Sequence, residues 1–104
     1  MRVRVCRADE VPSGELLGVT VDGLRDPVMV ARVGGEIVAA GSICPHEEVS
    51  LLDGDLEGGR VVCPGHGYSF DLSSGGCTHD PELRLRRFRV SIVDGDVWID
   101  LLRP

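Results

Sequence analysis

The chain has 104 residues, room for one domain with a thin core, since only 4% of its residues are aromatic. Its 11 cationic side chains, all arginine, stand against 17 acidic ones, giving a formal net charge of -6. That balance argues against a nucleic-acid binder, and no apolar run reaches membrane-spanning length. The stretch from Met1 to Glu10 lacks the apolar segment of a secretory signal, so a cytoplasmic location is expected. Thiols stay reduced there, and the four cysteines point to metal binding rather than to disulfides.

In chain order, β-branched and alternating runs predict strands over Arg2–Arg7, Leu16–Val21, Val28–Val33, Glu36–Ala40, Arg60–Cys63, Tyr68–Asp71, Arg87–Val93 and Val97–Leu101. Gly34-Gly35 and Asp94-Gly95 each sit between two apolar runs and supply the positive φ of a tight hairpin. Leu83 and Leu85 share one face, whereas Phe88, Val90 and Ile92 set another three residues on. A bulge or bend near Arg86-Arg87 would reconcile the two phases. No window carries a helical apolar stripe, and the expected class is all-β.

Flanking side chains have simple readings. Cys6 falls at an ambiguous position of the first strand and is expected to be a buried or half-buried thiol. Arg84, Arg86, Arg87 and Arg89 read as the solvent side of a strand, and Trp98 as core. From Cys44 to Pro81 the turn formers thicken, and three of the four cysteines and all three histidines fall there. The expected organisation is one domain, 1–104, with a β base from 1–41 and 84–104. A loop-built insert over about 42–83 holds the functional residues.

The insert contains Cys44-Pro45-His46 and, further on, Cys63-Pro64-Gly65-His66. Each short loop offers one thiolate and one imidazole, and a proline stiffens it directly after its cysteine. A single zinc could take two Cys and two His, but zinc loops usually pair like with like. A Rieske-type [2Fe–2S] centre places two thiolates on one iron and two imidazoles on the other, which makes mixed loops natural. Cys77-Thr78-His79 echoes the first loop, yet four ligands already saturate two irons, so Cys77 and His79 are expected to be non-ligands. Glu47-Glu48 reads either as solvated charge or as a partner-facing pair that disfavours added negative charge on the cluster.

Over nearly its whole length the chain resembles the Rieske-type ferredoxins. The second loop with its flank, from Cys63 to Asp71, the Ser73-Ser74-Gly75 turn and Asp80-Pro81 carry the likeness beside the ligand motif. The resemblance implies the Rieske fold, a base of antiparallel β-sandwich or barrel with an inserted cluster-binding subdomain. It also implies one [2Fe–2S] cluster with Cys44 and Cys63 on the inner iron and His46 and His66 on the outer one. High-potential respiratory relatives have a disulfide between the loops and two hydroxyl donors near the cluster. Here the corresponding places hold Val49 and Gly65, and Tyr68 and Phe70. Fewer donors to electron-rich sulfur imply a potential near the low end of the Rieske range, about -150 mV.

Such ferredoxins are not enzymes in themselves. The resemblance implies a monomeric one-electron carrier that takes electrons from an NAD(P)H-dependent flavoprotein reductase. It would deliver them to the terminal oxygenase of a dioxygenase or monooxygenase system. The alternative it offers is the small, non-shuttling subunit of an assimilatory nitrite reductase, which shares the fold.

Overall fold

Alternation along Val28-Met-Val-Ala-Arg-Val33 decides the architecture. In the computed structural model, which describes residues 1–65 and 67–104, this run is strand β3 (Val28–Val33). Its first four side chains are buried on both faces of the sheet. Val28 and Val30 join one core with Val5, Phe88, Val97 and Ile99, while Met29 and Ala31 join a second. The neighbouring β4 (Glu36–Gly41) divides likewise, Ala39 to the first core and Val38 and Ala40 to the second. A short continuous apolar run is what a strand covered on both faces requires.

Around this wall, β1 (Arg2–Arg7), β2 (Leu17–Val19), β8 (Arg87–Val93) and β9 (Asp96–Asp100) complete an antiparallel sheet in the order β1-β9-β8-β4-β3-β2. Between β4 and β8 the chain forms a second sheet from β5 (Asp55–Glu57), β6 (Arg60–Val62) and β7 (Ser69–Asp71). The chain is all-β, as expected, with short 3-10 turns at Ala8–Glu10 and Leu51–Asp53. Among the described residues no helix is long and apolar enough to cross a membrane.

The second core lies between β3–β4 and the small sheet. Leu51, Val61, Phe70 and Leu72 fill it, and Cys44 and Cys63 are part of it. Phe70 is fully buried, so truncating it to alanine would cost about 3–5 kcal/mol. Gly18 on β2 leaves room for the insert to reach the base, because a Cβ there would stand 2.7 Å from Leu52 Cδ1.

Several expectations need correction. Strand β5 is missing from the sequence reading, because Asp55-Leu-Glu57 has a single apolar residue. Its hairpin is nonetheless closed by Gly58-Gly59 at φ 53° and 84°, nearly the values of Gly34-Gly35, 58° and 84°. Positive φ at both central residues is the mark of a type I′ turn.

The expected bend near Arg86-Arg87 is an exchange of partners. Arg84 bridges Gly76 and Leu85 N–H donates to Gly75 O, in the insert, whereas Arg87 pairs with Ala40 of the base. The register shift lies instead in β1, between Arg4 and Cys6, and turns Val5 and Cys6 inward together. Burial raises the Cys6 thiol pKa above its ordinary value, with the Glu10 carboxylate adding to the effect and Arg4 opposing it.

The arginine run does lie largely on the solvent side, with Arg84, Arg86 and Arg89 exposed and Arg87 half-buried, yet three of the four guanidinium groups reach backbone carbonyls. Arg84 donates to Ser74 O (3.2 Å) and Arg87 to Leu72 O (3.1 Å), stitching insert and base together, while Arg86 donates to Leu101 O (3.0 Å) within the base. Trp98 is half-buried rather than core, since it points away from Val97 and Ile99 with Arg2 6.0 Å over its ring.

Candidate metal centre

The two loops with the metal-ligand motif share one frame of backbone hydrogen bonds, although in sequence His46 stands two residues after its cysteine and His66 three. In the first, Cys44 N–H donates to Val49 O (2.9 Å) and Glu48 N–H to Cys44 O (3.0 Å). In the second, Cys63 N–H donates to Tyr68 O (2.7 Å) and Gly67 N–H to Cys63 O (3.1 Å). The spacings match residue for residue. Each loop opens on an antiparallel pair, Ile43 with Ser50 and Val62 with Ser69. Each also turns through a left-handed residue at the same place, Glu48 at φ 54° and Gly67 at φ 72°. The strands expected at Arg60–Cys63 and Tyr68–Asp71 lose Cys63 and Tyr68 to this turn.

The shared frame buries both cysteines, Cys44 at 0% and Cys63 at 1% exposure, whereas His46 lies exposed at the loop surface. Among the described residues no disulfide joins any of the four cysteines. The prolines after the two cysteines give up N–H groups that the turns do not use. His66, the fourth expected ligand, lies outside the described residues. Among the described residues no three His, Cys, Asp or Glu side chains converge on one point.

Two side chains take places at the site that the sequence leaves open, Glu47 between solvated charge and a role beside the cluster, and Tyr68 with no role of its own. Glu47 is half-buried and accepts from the Cys63 thiol across the two loops, Oε1 to Sγ 3.7 Å. A Cβ on Gly65 would collide with the Glu47 carboxylate, so the glycine makes room for that reach. Tyr68 stacks on His46 with ring centroids 4.2 Å apart and on His79 at 5.0 Å. In sequence Tyr68 stands out only for the hydroxyl donor it replaces. Its ring, so close to a candidate ligand along the chain, is the signal that could have marked it.

Cys77 pairs with Phe70 in an isolated bridge and packs against the core that contains Cys44 and Cys63, whereas Cys6 belongs to the other core. The Ser73-Ser74-Gly75 turn is held by Asp71, whose Oδ1 accepts from Ser73 N–H (2.8 Å) and Ser74 N–H (3.0 Å). Gly75 cannot be replaced freely, because φ is 82° and a Cβ would stand 2.7 Å from Leu85 O. This turn therefore sits directly under the strand that returns to the base.

The donor set suits a thiolate-held iron–sulfur group. Two soft sulfurs lie in a water-excluded core, one from each loop, and an imidazole stands at the rim.

Comparison with known proteins agrees with this chemistry. A family profile, the Rieske [2Fe-2S] domain, matches residues 1–89. The ferredoxin component of the naphthalene 1,2-dioxygenase system of Pseudomonas aeruginosa is 37% identical over 93 residues, 88% of either chain. The solved ferredoxin of Sphingomonas yanoikuyae B1 superposes with a TM-score of 0.87 at 32% identity, covering 96% of this chain and 98% of that one. A ferredoxin solved in complex with the oxygenase of carbazole 1,9a-dioxygenase gives 0.83 at 30% identity, covering 94% and 91%. A chain described as an NADH-dependent nitrite reductase small subunit, from Mycobacterium tuberculosis, gives 0.80 at 23% identity, covering 95% and 93%; it shows likeness of fold alone.

Proposed function

Because the chain belongs to the Rieske [2Fe-2S] domain family, whose cluster is held by two Cys and two His, we propose that it is a one-electron carrier of an oxygenase system. Cys44 and Cys63 would hold the inner iron, and His46 and His66 the outer one. The observation that carries this reading is the repeated loop, which buries one thiol in each copy and leaves His46 at the surface. When bound, the cluster supplies one reversible electron close to solvent. The apolar core around the two buried cysteines keeps water from the sulfur side, and the exposed imidazole offers a short contact to a docked partner.

The whole chain, 1–104, would act as one domain in which the base 1–41 and 84–104 carries the insert 42–83. The partners would be an NAD(P)H-dependent flavoprotein reductase and a terminal oxygenase, met in turn by a cytoplasmic monomer. No catalytic role falls to the chain itself. Relatives named as ferredoxin components of dioxygenase systems, and one solved against its oxygenase, support this reading. The nitrite reductase subunit reading has likeness of fold behind it.

The test is to purify the protein, assay iron and acid-labile sulfide, and measure its size in solution. A red-brown monomer with two irons and two sulfides that cycles one electron is expected. A colourless protein with stoichiometric zinc would overturn the cluster reading, and a chain soluble only with a large partner would favour the subunit.

A further inference from the structure

Three segments that are distant in sequence each contribute one ring to a single stack. The His46 and Tyr68 planes are 24° apart, and those of Tyr68 and His79 10° apart, so the three rings run nearly parallel. Tyr68 belongs to both pairs and is half-buried, whereas both imidazoles are exposed. Near-parallel stacking fixes a ring plane, because rotation about either side-chain torsion would break the contact.

Both supporting rings stand on fixed backbone. The Tyr68 carbonyl accepts from Cys63 N–H at 2.7 Å, which ties its ring to the second loop. Just before His79, Thr78 N–H donates to Ser69 O (3.0 Å), its hydroxyl lies 2.8 Å from Ser69 Oγ, and Arg60 donates to that same hydroxyl. Just after it, Asp80 Oδ1 accepts from Glu82 N–H at 2.9 Å and Asp80 O from Leu83 N–H at 3.1 Å. An exposed histidine pinned on both sides against a neighbouring ring has less freedom than its exposure alone suggests.

We infer that Tyr68 is a positioning residue for the His46 ring and that His79 is the backing ring that holds Tyr68 in plane. The inference rests on the proposed role of His46 as an iron ligand. An imidazole that must present one nitrogen inward on an exposed, short loop needs an external constraint on its plane, and the stack supplies it. His79 thereby acquires a role without being a ligand.

The test uses purified holoprotein, with electron paramagnetic resonance of the reduced state and its histidine nitrogen couplings as readout. Tyr68→Ala and His79→Ala should shift or split the resonances and spread the couplings of one histidine, with iron content unchanged. Tyr68→Phe and His79→Phe keep the rings and should restore the wild-type spectrum. Wild-type spectra in both alanine variants would overturn the inference. If Tyr68→Ala does not fold, the exposed His79 decides: an unchanged spectrum in His79→Ala overturns it. The ligand reading is tested apart, by His46→Cys. An unchanged spectrum there refutes His46 as ligand, whereas a changed one beside silent Tyr68 and His79 variants refutes only the positioning role.

Discussion

The Glu47 carboxylate lies 3.7 Å from the Cys63 sulfur and so joins the two loops that carry the candidate ligands. Once that sulfur is a thiolate ligand, the same proximity places two negative groups side by side and disfavours one further electron. Glu47→Gln should therefore raise the midpoint potential, on the order of tens of millivolts given the partial exposure of the carboxylate. Glu48, exposed and on the far side of the turn, should shift it less when changed to Gln. Potentiometric titration of the two variants measures both shifts, and equal values would mean that only net charge matters.

The matched turns make a second prediction. Gly67 has φ 72° and, among the described residues other than its chain neighbours, no atom within 4 Å of where a Cβ would stand, so Gly67→Ala meets mainly torsional strain, about 1 kcal/mol. Glu48 occupies the equivalent place at φ 54° and already bears such strain. Glu48→Gly should recover less than that amount, because the unfolded chain gains freedom too. Gly54→Ala should cost more than Gly67→Ala, since its Cβ would run into the Val62 carbonyl. Chemical unfolding of the holoprotein ranks the three.

The sequence carried much of this arrangement in particular residues. The apolar run of β3, the Gly34-Gly35 and Asp94-Gly95 turns and the Cys-Pro pairs are local signals, and the structure has each as its local chemistry dictates. The rest depended on contacts between distant residues. The phase change beside Arg86 announces a break but not that it exchanges Gly76 for Ala40 as partner, and nothing near Val5 announces a register shift. Glu47 and Gly65 make sense only when the two loops face each other. The Gly58-Gly59 pair was a local signal for β5 that the weak alternation beside it concealed.

Cys6 and Cys77 should differ in reactivity. Burial raises the Cys6 pKa, whereas Cys77 is half-exposed, so alkylation near pH 8 should label Cys77 first, as peptide mass spectrometry would show. Because the folded value of Cys6 is raised, its stabilising contribution is complete below the unfolded thiol pKa. It is lost as pH rises through the folded value. Cys6→Ala should accordingly flatten the fall in stability at alkaline pH and leave its acid limb unchanged.

Ligand exchange tests the assignment of the outer iron. His66→Cys should keep a cluster but shift its spectrum and lower its potential, since thiolate replaces neutral imidazole. Cys44→Ser should lose the cluster and loosen the second core, in which Cys44 is fully buried.

The most direct test of the proposed electron-carrier role is the midpoint potential of the purified wild-type protein, followed optically during a reductive titration. A single one-electron wave near the low end of the Rieske range, about -150 mV, is expected from a site with Phe70 and Tyr68 where high-potential relatives place hydroxyl donors. A potential above zero would contradict the low-potential reading, and the absence of a one-electron wave would contradict the carrier role itself.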